Sequence, residues 1–403
     1  MIKAILAAGA LALLAGSAQA ACPFENTVPL KSLTAGFPAW KAATDTMKEC
    51  GDFQAELDQD FAQKQPAALA ASPSLYQIAG VANETVVPLL NAGTIRPLDE
   101  LVAKYGGDLA PNQLIKIDGK VMAVAMMVNA QHWMYREDIL QELNIAPPKT
   151  YDEVLAAAEK IKASGKVQYP LGGTYKTGFN ISMEFINLYM GMGGKFFGEG
   201  NAPIVNNATG VASLELMKKL TAYMDPEYLT SDSTTVQQQF QQGRIAMANL
   251  WASRAGAMDD PNESQVVGKI AMAAAPAAAP GGKPATTIWW DGVTIARNIT
   301  DAEAEAAFRV AMHGLSAETV EKANDAAVWL IKGYKRGRLS EGAFASAQAG
   351  APAYPASTAM GIMQTAIGAH AGDFLTGRRS AEETLADIEA EYTTGAKEQG
   401  LMQ

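Results

Sequence analysis

The stretch from Ile117 to Ile161 constrains this chain more than any other, because it changes character several times within a few dozen residues. A turn at Asp118-Gly119 leads into an apolar run, Val121 to Val128, long enough for a strand buried on both faces. A polar patch follows, Asn129-Ala130-Gln131-His132, and then an aromatic pair, Trp133 and Tyr135, spaced for a second strand. Glu137 to Leu143 reads as a short helix ended by Pro147-Pro148. Thr150 then stands three residues before Glu153 and ahead of Val154, Leu155 and Ala158, the spacing of a capping box opening another helix. Strand, polar break, strand, helix and capped helix in this order read as an α/β alternation of elements interrupted at Asn129–His132.

The remaining composition bounds the class. Lys3, the apolar Ala4–Ala15 and the small-x-small site Ala18-Gln19-Ala20 read as a cleavable export signal over residues 1–20, too short in its core to span a bilayer. The chain beyond residue 20 is long enough for two packed lobes. A formal charge of −10 with three histidines and no basic stripe excludes nucleic acid and anionic membrane surfaces as partners. Cys22 and Cys50 are the only cysteines. Export to an oxidising compartment predicts a disulfide between them, with lipid attachment at Cys22 as the alternative. Gln19 disfavours the lipid, since lipoprotein signals carry an apolar residue there.

Helical and strand-like patches alternate elsewhere. Trp40, Ala43 and Met47 share a helical face behind Pro38, Phe53 to Phe61 is taken as a strand, and Asn83 to Asn91 as a helix. Phe185 to Met190 is amphipathic and stops at Gly191-Met-Gly-Gly. Ala273 to Ala285 is the one low-complexity segment, read as a second interlobe strand over a flexible loop. Thr287-Ile-Trp-Trp-Asp-Gly-Val-Thr-Ile-Ala is a strand with an aromatic-acid-glycine kink, Asp301 to Ser316 is an amphipathic helix, and Ser380 with Glu383 caps another.

Four segments, in this order, carry a resemblance: Gly93-Thr-Ile-Arg-Pro-Leu-Asp-Glu-Leu, the helix-to-strand run VQQQFQQGRIAMANLW ending at Trp251, the Asp301 helix, and the Ser380 helix. With the Ile117–Ile161 crossover they resemble the extracellular solute-binding proteins of carbohydrate ABC transporters, the maltose-binding-like family 1. The resemblance implies a two-lobe periplasmic binding protein fold (class II type), with a ligand cleft between lobes joined by hinge crossings. It implies one lobe from 21–128 plus about 278–328, and another from 129–277 plus about 329–403. It further implies a periplasmic monomer that delivers a sugar, polyol or substituted sugar to the permease subunits of an ABC importer, without cofactor or chemistry on the ligand. This chain departs from the family at Met127-Val128-Asn129, where a proline-containing segment is usual.

The chemistry-bearing motifs agree. There is no Gly-x-Ser-x-Gly elbow, phosphate-cradling loop or His-Glu-x-x-His, and scattered His132, His313 and His370 do not suit a metal site. A sugar presents an apolar face of C–H groups and a rim of hydroxyls, so its site needs aromatic platforms and fixed polar partners. Trp289-Trp290-Asp291-Gly292 supplies both, with alternation sending the two indoles to opposite faces. Asn249, Trp251 and Arg254 form a second candidate group, Arg254 suiting hydroxyls or an anionic substituent. Gln131 and His132 lie at the crossing, Tyr76-Gln77 at the position of a first-lobe ligand loop, Tyr175 in a second-lobe loop, and Trp40 on the first helix. The competing classes are a secreted glycoside hydrolase, with Asp291 and an acid such as Asp225 flanking the bond, and a polyamine- or iron-binding relative on the same fold.

Overall fold

The computed structural model describes residues 22–402, so the export signal expected over residues 1–20 lies outside the described residues. Two sheets organise the chain. The first has seven strands: β1 (Asn26–Thr34), β2 (Gly51–Leu57), β3 (Ile78–Ala82), β4 (Leu114–Ile117), β5 (Lys120–Asn129), β10 (Trp289–Ile295) and β11 (Val328–Trp329). The second has four: β6 (Gln131–Arg136), β7 (Tyr169–Gly172), β8 (Ile245–Trp251) and β9 (Ile270–Ala273). Their orders are β11-β5-β10-β3-β1-β2 and β7-β8-β6-β9, with β4 also paired to β5. Helices cover both sheets and give two lobes, as the resemblance implies.

The local logic is that read from the sequence. Asp118 (φ 50°) and Gly119 (φ 76°) form the left-handed pair of a tight hairpin between β4 and β5. β5 is buried along almost its whole length, with Val124, Met126 and Met127 fully enclosed. Thr150–Glu153 and Ser380–Glu383 close the expected capping boxes, and Thr300–Glu303 closes a further one. Pro38 opens the helix Pro38–Lys48, whose Trp40, Ala43 and Met47 enter the first-lobe core with Leu30, Val293 and Phe308. Cys22 and Cys50 are bonded, Cα to Cα 4.9 Å, which ties the start of the described chain to the end of that helix. Closing a loop of this length contributes about 3–4 kcal/mol in the chain-entropy picture.

Three expectations change. Phe61 belongs to the helix Phe61–Ala70, because β2 ends at Leu57 and the Asp58–Asp60 turn intervenes. The helix after β3 starts at Val86, not Asn83. The low-complexity segment is not a strand: β9 ends at Ala273, and the passage to β10 is irregular. Proline at 276, 280 and 284 denies a ladder its N–H donors. Isolated bridges of Ala277 to Thr150 and to Pro284 hold the passage instead.

Candidate functional site

One residue, Ala130, separates β5 in the first sheet from β6 in the second. Strand register places an aromatic on each side of it. Trp289 of β10 lies opposite Asn129, and Trp251 of β8 lies opposite Gln131. Ala252 N–H donates to the Ala130 carbonyl at 2.9 Å, and the Asn129 amide donates to the Ser253 hydroxyl at 3.2 Å. The crossing is thereby fixed to the turn that comes after Trp251.

The two indoles stand perpendicular with centroids 5.7 Å apart. Tyr354 lies against Trp289 at 4.1 Å, and Phe179, exposed at the start of helix Phe179–Gly191, meets it edge-on at 6.3 Å. Trp251 is half-buried and Trp289 is buried, so this cluster combines fixed and accessible aromatic surface. Alternation works as expected: Trp290 turns away to pack beside the first-lobe cluster of Leu69, Val81, Val86 and Leu89.

A buried polar chain fixes Trp289. Its indole N–H donates to Thr287 Oγ1 at 2.9 Å, Thr287 to Asn187 Oδ1 at 2.9 Å, and Asn187 Nδ2 to Gln131 Oε1 at 2.5 Å. Gln131 Nε2 reaches Glu184 Oε1 at 3.2 Å, which also accepts from the Thr174 hydroxyl. Burial raises the Glu184 carboxyl to about 7, against the opposing pull of those hydrogen bonds. Gln131 thus holds the cluster from beneath, with both ends of its amide committed.

In the first lobe, Asp291 is buried, and burial raises its carboxyl to about 7 against the opposing pull of the nearby Trp40 indole. Trp40 is itself fully enclosed. Gly292 has a different reason from ligand approach. It faces β5 at the irregularity in the β10–β5 register, where a Cβ would meet the Val124 carbonyl at 2.2 Å.

The loop after β3 was not singled out in the sequence. Asn83 Oδ1 accepts the Trp290 N–H at 2.8 Å. Glu84 is half-exposed, and loss of water around it raises its carboxyl to about 7. Burial, with the Glu84 charge as a smaller contribution, raises the Tyr354 hydroxyl, and the Asn83 contact to Trp290 puts this loop beside the strand that carries Trp289. The signal available was position: Asn-Glu directly follows an apolar strand, and ligands of open α/β sheets lie beyond the carboxyl ends of strands.

Other candidates fall elsewhere. Tyr76 and Gln77 precede β3, at the end away from Asn83; Tyr76 donates to Glu56 at 2.5 Å, and Gln77 Oε1 accepts the Lys31 N–H at 2.8 Å. The structure does not bring them to the aromatic cluster. His132 is fully enclosed, with no hydrogen-bond partner on either ring nitrogen, and burial drops its pKa to about 3. It packs against Gly342 of the helix Glu341–Gln348 as a core residue. Tyr175 is buried edge-on to Tyr228. Asn249 is buried, its amide 3.4 Å from the Ala285 carbonyl. Arg254 is half-buried, with Gln237 as its hydrogen-bond partner at 3.1 Å. Among the described residues, no helix is long and apolar enough to cross a membrane.

The family model for bacterial extracellular solute-binding proteins matches residues 32–321. A probable ABC transporter-binding protein of Deinococcus radiodurans is 28% identical over 270 residues, 63% of this chain and 61% of the relative. A probable sugar-binding periplasmic protein of Mesorhizobium japonicum is 26% identical over 181 residues, 42% of each. The alignments with these curated relatives therefore span less than two thirds of their length. Among solved structures, a solute-binding protein of Agrobacterium radiobacter in complex with ribitol superposes with a TM-score of 0.78 at 20% identity, over 92% of this chain and 99% of that one. Maltose-bound MalE3 of T. maritima gives 0.78 at 19% identity, over 91% and 99%. The D-mannitol-bound protein of Agrobacterium vitis gives 0.76 at 20%, over 92% and 99%. The chain belongs to the bacterial extracellular solute-binding protein family.

Proposed function

We propose that this protein is the periplasmic receptor of an ABC importer, binding a sugar, polyol or substituted sugar between its lobes and presenting it to the permease subunits as a monomer. The lobes we assign are 21–128 with about 278–328, and 129–277 with about 329–403. The observation that carries this reading is the aromatic cluster of Trp251, Trp289, Tyr354 and Phe179 beside the single-residue crossing at Ala130. Such a cluster offers flat surface to sugar C–H groups, while Glu84 and Arg254 offer partners for hydroxyls. The ligands named for the superposable proteins, ribitol, maltose and D-mannitol, share that chemistry.

Closure needs no chemistry. A ligand touching both lobes shifts the open–closed equilibrium by its greater affinity for the closed state. Asn91, in the helix Val86–Asn91 of the first lobe, donates to Thr358 of the second at 2.6 Å, a contact that lobe opening would break. A hydrolase would need two carboxylates facing one bond. Asp225 is instead tied to Arg244, just before the start of β8, while Trp251 ends that strand.

A thermal-shift screen over neutral sugars, polyols and sugar acids tests the proposal. A ligand at 100 times its dissociation constant adds about 2.7 kcal/mol. Stabilisation by a member of the panel, without turnover, supports the receptor. Hydrolysis of a glycoside by the purified protein overturns it.

A further inference from the structure

Arg254 lies where three elements of the second lobe converge. β7 and β8 run parallel, so the loop 173–177 and the turn 251–254 leave the same end of the sheet. The helix Ser233–Gln241 turns back into β8 at Gly243, which returns its first residues to that end. Lys176 N–H donates to the Ser231 carbonyl at 2.9 Å, and the Ser233 hydroxyl lies 3.4 Å from Asn180, the neighbour of Phe179. This carboxyl end is where α/β sheets hold ligands, and it carries Trp251 three residues before Arg254.

The guanidinium is short of partners. Gln237 Oε1 supplies one neutral hydrogen bond, and among the described residues no carboxylate lies within ion-pair distance. Asp232 is the acid whose field reaches it, but Asp232 is committed elsewhere. Its Oδ1 accepts from the N–H groups of Thr234 and Thr235 and from the Thr235 hydroxyl, and its Oδ2 pairs with Lys176 at 3.2 Å. Arg254 and Lys176 thus set two positive charges against one negative. Neither first-lobe acid of this region, buried Asp291 or Glu84 in the loop after β3, pairs with Arg254. A half-buried cation whose fork has one neutral partner suits an oxyanion, and the fork matches a carboxylate with two parallel hydrogen bonds.

We propose that the ligand is a sugar acid, its carboxylate held by Arg254 at the rim of the second lobe while its C–H face stacks on Trp251 and Trp289. This rests on the carbohydrate-receptor reading and narrows it to a monoanionic carbohydrate. Lys176 adds long-range attraction rather than a second contact, since it already pairs with Asp232.

The test is calorimetric titration of the whole exported protein with matched pairs of one carbon skeleton: glucose with gluconate and glucuronate, galactose with galacturonate, mannitol with mannonate. At least one acid should bind at least tenfold more tightly than its neutral counterpart. Arg254→Gln should weaken that acid at least tenfold more than it weakens the neutral partner. If Arg254→Gln does not fold, Arg254→Lys serves, and the acid-over-neutral ratio should fall at least threefold because an ammonium cannot make the paired contact. Equal or tighter binding of the neutral members overturns the proposal and leaves the carbohydrate receptor standing, as does an equal loss for both members in the variant. No binding by any neutral or acidic member overturns the carbohydrate reading, and this one with it.

Discussion

Trp251 and Trp289 stand at right angles, 5.7 Å apart, although they belong to different sheets. Each is registered against a residue flanking Ala130, so the crossing that joins the lobes also sets the spacing of the aromatic surface. The crossing and the aromatic surface are therefore mechanically joined, and the two indoles should separate in their mutational effects.

Trp289 is buried and packed on Tyr354, so Trp289→Ala should cost about 3–5 kcal/mol of stability as well as binding. Trp251 is half-buried, and Trp251→Ala should cost about 1–2 kcal/mol while still abolishing the ligand-induced thermal shift. Melting curves with and without ligand check both. Equal apo stability of the two variants would contradict the assigned roles.

The polar chain under Trp289 predicts a second effect. Gln131→Ala leaves Asn187, Thr174 and Glu184 short of partners in a buried setting. Loss of about 2–3 kcal/mol, read as a lower denaturation midpoint with unchanged slope, is expected.

Three carboxyls, Glu84, Glu184 and Asp291, are each raised to about 7 by burial. Between their unfolded values near 4–4.5 and about 7, the folded state holds more protons than the unfolded chain. Stability from these groups is therefore greatest below about pH 4 and falls as pH rises through 7. Glu184→Gln keeps a neutral group able to hydrogen-bond in the same place, so it should flatten this decline. Denaturation midpoints at pH 5, 6, 7 and 8 measure it. A variant as pH-dependent as the wild type would show that Glu184 is ionised throughout.

Reduction, or replacement of Cys22 and Cys50 by serine together, should lower stability by about 3–4 kcal/mol. Denaturation with and without reductant measures it, and the double variant should no longer respond to reductant.

Much of this architecture was legible because local signals were strong. The Asp118-Gly119 hairpin, the β5 apolar run and the Thr150 and Ser380 capping boxes each rest on residues that admit few backbone alternatives. The candidate site was less legible, because periodicity locates a strand without saying which end meets the cleft. Tyr76-Gln77 and Asn83-Glu84 flank the same strand, and strand direction within the assembled sheet puts the second pair beside the start of β10, where Trp289 lies. Tyr354 and Phe179 stood outside any motif, since their proximity to Trp289 comes from tertiary packing across long sequence separations. Gly292 and His132 show the converse: residue types that suit a ligand site, but enclosed by β5 and by the helix Glu341–Gln348.

The central claim is that a carbohydrate binds on the Trp251–Trp289 surface between the lobes. It is tested most directly by calorimetric titration of the wild type and Trp251→Ala with the carbohydrate that gives the largest thermal shift. Saturable one-to-one binding with a negative heat-capacity change is expected, weakened at least a hundredfold in the variant. Unchanged affinity in Trp251→Ala would contradict it.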